Sequence, residues 1–362
     1  MREPADCLLQ VLQTPSQATG LDETEWRELV RVARALNLLG LLGERAHAAG
    51  LEMPFAVWRH LDGARQLSAR QRLSVAWEVQ CLQDVLGELS VPVLLLKGSA
   101  YVMSGHRVSH GRLFGDIDIL VPRGALPEVE SLLQLSGWVA TKTDEYDQRY
   151  YRQWMHELPP LQNLRRGTVL DIHHTILPLT ARNCPDPARI IGRAKALPGL
   201  GCIHVPSAED LVVHSLVHLV HEGELHNGLR DLADIDGLVQ DFARQPAFWS
   251  RFESVAVGND LAGPVLFGLR LLREFFATPV PESVLTALQA SLGRSALSAP
   301  VLTALYARAL RAYARPTTGL SDALAQLFVY VRAHGLRMPL PMLASHLGRK
   351  SWMSLTKSDQ AA

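Results

Sequence analysis

Two short motifs in the middle of the chain carry residues that could do phosphate chemistry. The first is Lys97-Gly98-Ser99, and the second contains Asp116 and Asp118 on either side of an isoleucine. Because successive side chains of a strand point to opposite faces, the two aspartates are predicted to share one face. Neighbouring carboxylates repel each other unless a cation lies between them, and hard oxygen ligands suit Mg²⁺ or Mn²⁺. The second motif therefore predicts a divalent metal site at Asp116 and Asp118.

The first motif predicts a phosphate-binding turn. Gly98 has no Cβ, so backbone N–H groups and the Ser99 hydroxyl can come close to phosphate oxygens. Two cations near these motifs are further candidates for phosphate binding. Lys97 could contact a phosphate as a point charge, and Arg112 could do so through two parallel hydrogen bonds. For both cations, a structural ion pair with a carboxylate is an equally good interpretation.

A third carboxylate follows later in the chain. Residues 169–174 alternate in polarity, which predicts a strand with Asp171 and His173 on one face. If this strand lies beside the one that carries Asp116, Asp171 can share the metal and accept the proton of an attacking hydroxyl. Asp116, Asp118 and Asp171 are therefore predicted to be catalytic residues and metal ligands. The alternative for Asp171 is an ordinary exposed strand position.

Three histidines recur at helical spacing in the second half of the chain. His214, His218 and His221 are four and three residues apart, which places them on one helix face. Three imidazoles on one face could bind Zn²⁺, but no H-E-x-x-H motif accompanies them. A polar helix face above the acidic strands is the better interpretation. We therefore take His214 and His218 as candidates for a substrate pocket, together with His173 from the strand of Asp171. For His173, local packing or hydrogen bonding is the alternative.

The elements that must position these residues follow from the apolar periodicity. Residues 22–89 have a helical pattern that Asp22 or Thr24 could cap, and the helical period returns after Ser207, whose hydroxyl could cap a helix. The segments between them predict strands at 91–96, 116–121 and 138–141, a helix at 126–135, and a hairpin of 149–163 and 168–176. Further helices are predicted at 211–220, 230–242, 263–276, 281–292, 299–314 and 320–334. The pattern predicts an α+β fold with a small mixed sheet at 90–205, helical regions at 1–89 and 206–338, and a partly disordered tail at 339–362.

Several sequence stretches resemble one protein family. They read L-L-L-K-G-S-A, G-R-L-F-G-D-I-D-I-L-V, S-G-W, V-L-D-I-H-H and E-D-L-V-V-H-S-L-V-H-L. Together they are similar to the bacterial family of uncharacterised nucleotidyltransferases called NTP_transf_5, within the DNA polymerase β superfamily of nucleotidyltransferases. The resemblance covers most of the chain.

The resemblance implies a fold and a reaction. Its fold is the nucleotidyltransferase core, and its reaction moves an NMP from an NTP to a hydroxyl of an acceptor and releases pyrophosphate. In this sequence the D-x-D residues Asp116 and Asp118 would bind two Mg²⁺, and the G-S turn at Gly98 and Ser99 would hold the NTP phosphates. Asp171 would help to activate the acceptor.

The amino-acid composition limits which acceptors and which cellular locations are expected. Thirty-six Lys plus Arg balance 36 Asp plus Glu in 362 residues, so no global positive field favours a nucleic-acid polymer. A small molecule, a sugar derivative or a protein side chain is the more favoured acceptor. No apolar run approaches the ~20 residues of a membrane span, no secretory signal is evident, and four scattered cysteines favour the reducing cytoplasm. The alternative function is an inactive nucleotide-binding or scaffolding protein that retains the fold.

Overall fold

The computed structural model describes residues 3–292, 299–339 and 342. Over these residues, one seven-stranded mixed sheet lies between helices from both ends of the chain, which confirms the predicted α+β class. None of the described helices combines the length and the apolar character that crossing a membrane would need. Most of the tail predicted at 339–362 lies outside the described residues.

Four helices precede the sheet. They are α1 (Pro4–Gln13), α2 (Glu23–Ala35), α3 (Leu39–Ala48) and α4 (Phe55–Leu86). Asp22 caps α2 as predicted, because its carboxylate accepts a hydrogen bond from the Glu25 N–H at 2.8 Å. The Glu25 carboxylate in turn accepts one from the Asp22 N–H at 2.9 Å. This reciprocal cap satisfies two N–H groups that a helix start would leave unpaired.

The sheet and its connecting helices occupy the middle of the chain. The strands are β1 (Val93–Leu95), β2 (Ile117–Leu120), β3 (Trp138–Ala140), β4 (Leu161–Asn163), β5 (Val169–His173), β6 (Lys195–Ala196) and β7 (Ile203–Val205). The helices between them are α5 (Lys97–Met103), α6 (Leu126–Leu135), α7 (Glu145–Trp154) and α8 (Pro187–Gly192). The strand order across the sheet is β3-β4-β5-β2-β1-β7-β6. Because β1 is antiparallel to β2 and parallel to β7, the sheet is mixed.

The pairing of β2 with β5 fixes the register of the acidic residues. The two strands are parallel, with Asp118 opposite Asp171 and Ile119 opposite Ile172. Ile119 and Ile172 are fully buried in the core. Since partners in register point to the same side of a sheet, the two carboxylates lie together on the opposite face. Burial of the isoleucines therefore holds the acidic pair in its register.

Within the part of the chain that the structure describes, seven α-helices follow the sheet. They are α9 (Ala208–His221), α10 (Gly228–Phe242), α11 (Phe248–Gly258), α12 (Ala262–Phe276), α13 (Glu282–Leu292), α14 (Ala299–Ala312) and α15 (Leu320–Arg337). Ser207 caps α9 as predicted, because its hydroxyl oxygen accepts a hydrogen bond from the Asp210 N–H at 3.1 Å. Most residues of α9 are buried, so this helix forms the centre of the C-terminal helical region.

The strand predicted at 149–163 is wrong over most of its length. Residues 145–154 form α7, and only Leu161–Asn163 belongs to a strand. The Asp144 carboxylate caps the helix by accepting a hydrogen bond from the Tyr146 N–H at 2.9 Å. Tyr150 and Trp154 lie on successive turns with ring centroids 5.9 Å apart. The four-residue spacing of these aromatic residues is typical of a helix, and in this segment it outweighs the β-propensity of tyrosine.

The N-terminal helices are joined to the sheet by a buried ion pair. Glu78 of α4 is only 2% exposed and accepts hydrogen bonds from the Arg166 guanidinium at 2.6 and 2.9 Å. The Thr168 hydroxyl donates a further hydrogen bond to the same carboxylate at 2.9 Å. The Arg166 guanidinium also lies over the Trp138 ring, 5.5 Å from its centroid. These contacts fix the turn between β4 and β5 against α4.

Arg166→Lys should therefore lower the free energy of unfolding by about 1.5 kcal/mol, because an ammonium cannot reproduce the forked hydrogen bonds or the stacking of a guanidinium. Urea denaturation followed by circular dichroism measures the change. Arg165→Lys, at the exposed neighbouring position, is the matched control. Equal stability of the two variants would contradict a structural role for Arg166.

Candidate active site

Asp118 lies at the centre of the acidic face and already has two partners. It is 3% exposed, and its Oδ1 accepts a hydrogen bond from Lys97 Nζ at 2.7 Å. The same oxygen lies 3.0 Å from His173 Nε2. Lys97 reaches Asp118 from the turn after β1, where its backbone has the left-handed φ of +45°. Of the two interpretations of Lys97 left open by the sequence, the ion pair is present in this structure.

Burial and neighbouring charges shift the pKa values of Lys97 and Asp118 in opposite directions. Burial alone would raise the pKa of Asp118, but the Lys97 ammonium and the His173 hydrogen bond outweigh it and hold that pKa well below its usual range. Burial alone would lower the pKa of Lys97, but the Asp118 carboxylate raises it above its ordinary value. Both groups are therefore charged at neutral pH.

Asp171 lies beside Asp118 and lacks such a partner. Its Oδ1 is buried and has no hydrogen-bond partner among the described residues. Burial, together with the neighbouring charges of Asp118 and Glu157, raises the pKa of Asp171 to about 7. A cation would supply the missing partner of this oxygen.

Asp116 completes the acidic face at the residue before β2. Its side chain is exposed, whereas Ile117 behind it is buried, so the alternation predicted from the sequence is present. The surrounding protein and the charge of Asp118 raise the pKa of Asp116. The carboxylate oxygens of Asp116, Asp118 and Asp171 do not all lie within 4.8 Å of one another. With an unpartnered buried oxygen in an all-carboxylate donor set, these residues fit a divalent metal such as Mg²⁺.

The raised pKa of Asp171 has a consequence for stability in EDTA. The folded state keeps this carboxyl protonated to about pH 7, whereas an unfolded aspartate loses its proton near pH 4, so stability should fall as pH rises between these values. Asp171→Asn should remove this loss, and its advantage in stability over wild type should be larger near pH 8 than near pH 5 by at least about 1 kcal/mol. Urea denaturation at both pH values measures the difference. A constant difference would mean that Asp171 ionises normally.

A cleft of about 350 Å³ opens in front of Asp116 and Asp118, whereas Asp171 is not among the residues that line it. Its lining includes Lys97, Gly98, Arg112, Asp116 and Asp118 from the core, and Ser215, His218, Glu222, Asn227, Arg230, Asp231 and Asp234 from the C-terminal helical region. A Cβ on Gly98 would lie 2.8 Å from the Phe114 ring, so the turn has no room for a larger residue. The Ser99 hydroxyl is buried and donates to the Leu96 carbonyl oxygen at 2.8 Å. Any contact of Ser99 with phosphate is thus left to its backbone N–H.

Arg112 forms one wall of the cleft. Its guanidinium makes an ion pair with Asp234 and lies 3.9 Å from Asp231, so the structural interpretation of this arginine is also present. The guanidinium lies 5.7 Å from the ring centroids of Tyr101 and Phe114, and its Nε has no hydrogen-bond partner among the described residues. Burial lowers the pKa of Arg112. These contacts hold the Arg112 side chain in place, and its Nε–H has no acceptor among the described residues.

The model of one protein family, described as uncharacterised nucleotidyltransferase (NTP_transf_5), matches residues 22–277. The chain belongs to this family. The matched region includes all seven strands, the turn after β1 and the three aspartates. No curated protein and no solved structure matches the chain.

The histidines near the cleft are buried to different depths. His218 lines the cleft, whereas His173 and His214 lie behind the lining and are 1% and 4% exposed. Burial lowers the pKa of His214 to about 3 and that of His218 well below its usual range, so both are neutral at pH 7. His221 Nδ1 lies 2.8 Å from the Val217 carbonyl oxygen of its own helix. Among the described residues, His214, His218 and His221 do not form a metal-binding group.

Two further residues, His156 and Glu157, lie near the carboxylates and are not predicted from the sequence. Glu157 Oε2 lies 3.6 Å from His173 Nε2 and 3.7 Å from His156 Nε2, and one ligand atom from each residue falls within 4.8 Å of the others. An isolated antiparallel bridge between Glu157 and His173 brings the group together. Burial raises the pKa of Glu157. No spacing in the sequence predicts this bridge, because the pattern of 149–163 predicts a regular strand.

Proposed function

We propose that this nucleotidyltransferase moves an NMP from an NTP to a hydroxyl of a small-molecule or protein acceptor. The observation that carries the proposal is the parallel register that pairs Asp118, which lines a cleft of about 350 Å³, with Asp171, whose buried oxygen has no partner among the described residues. Carboxylates in this arrangement are suited to a metal that binds phosphates. Membership of the family agrees with the reaction.

Three residues would hold the metal in this proposal. Asp116, Asp118 and Asp171 would be ligands of Mg²⁺ or Mn²⁺, which when bound supplies positive charge against the phosphate being transferred. Lys97 is within reach of both Asp118 and the cleft, so its ammonium can bind a phosphate oxygen as well as the carboxylate. The backbone at Gly98 approaches the phosphates closely because no Cβ intervenes.

The reaction needs one bond to form and one to break. The acceptor hydroxyl oxygen attacks the α-phosphorus of the NTP, the bond from that phosphorus to its bridging oxygen breaks, and pyrophosphate leaves. Asp171, in register with Asp118, is the residue proposed to take the hydroxyl proton. Arg230, which lines the cleft, would help to orient the triphosphate.

A second function is a nucleotide-binding protein without turnover. The ion pair of Lys97 with Asp118 favours it, because the same oxygen that would hold a metal is occupied by an ammonium. Four free cysteines agree with a cytoplasmic location in either case.

Pyrophosphate release tests the proposal. Purified protein is incubated with each of the four NTPs and a mixture of small molecules extracted from cells, with Mg²⁺ or with EDTA, while calorimetry measures binding of a non-hydrolysable NTP. Release that requires both Mg²⁺ and the extract supports transfer. Binding without release under any condition supports the second function, and an absence of both contradicts the two functions together.

A further inference from the structure

A second cavity of about 390 Å³ adjoins the catalytic cleft. It lies between α3, the segment that precedes Arg112, and α10. Its volume falls within the range of small-molecule sites, which is about 300–1,000 Å³. The charged side chains that line it are Arg45, Arg107, Arg112, Arg230 and Arg244, against Glu44, Asp234 and Asp241.

The two cavities share a wall. Arg112, Arg230 and Asp234 line both of them. Above this wall, Asn37 Nδ2 donates a hydrogen bond to Asn227 Oδ1 at 2.6 Å, and each asparagine lines one of the cavities. A ligand in the second cavity therefore lies next to a triphosphate in the cleft.

The shape of the second cavity is set by close backbone packing. A Cβ on Gly40 of α3 would overlap the carbonyl oxygen of Gly111, and a Cβ on Gly237 of α10 would overlap the Val108 side chain. These contacts hold α3 and α10 against the segment before Arg112. The cavity is thus preformed, which reduces the entropic cost of binding.

Two of its five arginines form no ion pair among the described residues. Arg112 is paired with Asp234, Arg107 with Asp241 and Arg230 with Asp231. Neither Arg45 nor Arg244 has a carboxylate oxygen within 4.0 Å among the described residues, so both guanidinium groups are available to a ligand. An excess of positive charge in a cavity of a chain with zero formal charge favours an anionic ligand.

We propose that the second cavity binds the acceptor, and that this acceptor is a small molecule with a phosphate or carboxylate group held by Arg45 and Arg244. The inference rests on the proposed transfer function and names its substrate class. A guanidinium binds either anion through two parallel hydrogen bonds. With its anion held there, the acceptor extends its hydroxyl past Arg230 toward the triphosphate.

Calorimetry with two probes tests this site. Inorganic phosphate and malonate are titrated in EDTA at constant ionic strength into wild type, Arg45→Ala/Arg244→Ala and Arg59→Ala/Arg70→Ala. The last variant removes two exposed arginines of α4 that lie outside both cavities, so it matches the loss of charge. We expect the first variant to bind its preferred anion at least about tenfold more weakly, and the control to bind like wild type. The tighter of the two probes identifies the anionic group.

A second titration separates this inference from the proposed function. Wild type is saturated with a non-hydrolysable NTP and Mg²⁺ and then titrated with the preferred anion, which should still bind because the two ligands occupy different cavities. Displacement of the anion by the NTP, or equal anion binding by wild type and Arg45→Ala/Arg244→Ala, would overturn the acceptor site. Failure of the NTP itself to bind would count against the proposed transfer function, while the anion titrations in EDTA would still report on the second cavity.

Discussion

Asp118→Asn should reduce the rate of Mg²⁺-dependent pyrophosphate release by about 10³-fold, because the lost charge stabilisation is several kcal/mol and each 1.4 kcal/mol is tenfold in rate. Asparagine keeps the shape of the side chain and can still accept the Lys97 hydrogen bond. The loss should therefore come from charge and metal binding rather than from misfolding. Initial rates with saturating NTP and Mg²⁺ measure it.

The control for this prediction is Asp84→Asn, at an exposed position on α4. It should have the wild-type rate. Circular dichroism of Asp118→Asn should match wild type, so that a loss of rate can be assigned to the site. A rate within threefold or so of wild type would mean that Asp118 does not act in the transfer, since removal of even one stabilising donor typically costs more.

Lys97→Met should lower the free energy of unfolding in EDTA by about 3 kcal/mol, because it leaves the Asp118 carboxylate buried with His173 as its remaining partner. The side chain of Lys97 is 24% exposed, which places the cost at the lower end for a buried pair. The double variant Lys97→Met/Asp118→Leu should recover most of this loss, because it removes both charges.

The pH dependence of this difference follows from the two pKa shifts. The contribution of Asp118, whose pKa is lowered, is present above the unfolded value of about 3.9, and that of Lys97, whose pKa is raised, is present below about 10.4. The difference between wild type and Lys97→Met should thus stay constant between about pH 5 and pH 9. Urea denaturation across this range measures it, and a double variant no more stable than Lys97→Met would show that the loss is steric.

The sequence predicts the fold where local signals are strong. The helix at 126–135 has the predicted bounds, and β2 begins one residue after the predicted start because its apolar and acidic residues alternate without interruption. β6 and β7 were not predicted, since two or three residues cannot display a period. The sequence predicts a strand in place of α7, because its tyrosines have high β-propensity and none of its residues is buried.

The candidate site also combines features that the sequence predicts with features that it does not. The alternation of Asp116 and Asp118 and the shared face of Asp171 and His173 could be read from the period of a strand. The register that places Asp118 opposite Asp171 could not, because it depends on which strands pair. The sequence does not predict long-range ion pairs either. Asp234 on α10 pairs with Arg112, which lies 122 positions away in the chain. Pairing partners are set by tertiary packing, which no local pattern encodes.

The parallel register of β2 and β5 also limits where residues can be inserted into the chain or deleted from it. Deletion of one codon within Ile117–Leu120 would turn the strand over and exchange an aspartate for an isoleucine in the cleft. The crossover at 121–168 has no such constraint along its exposed loops. Insertion of a short peptide between Lys142 and Thr143, where both residues are exposed outside any helix or strand, leaves the alternation intact. The exposed loop between β2 and β5 can therefore be lengthened, whereas β2 cannot gain or lose a single residue without turning its aspartate away from the cleft.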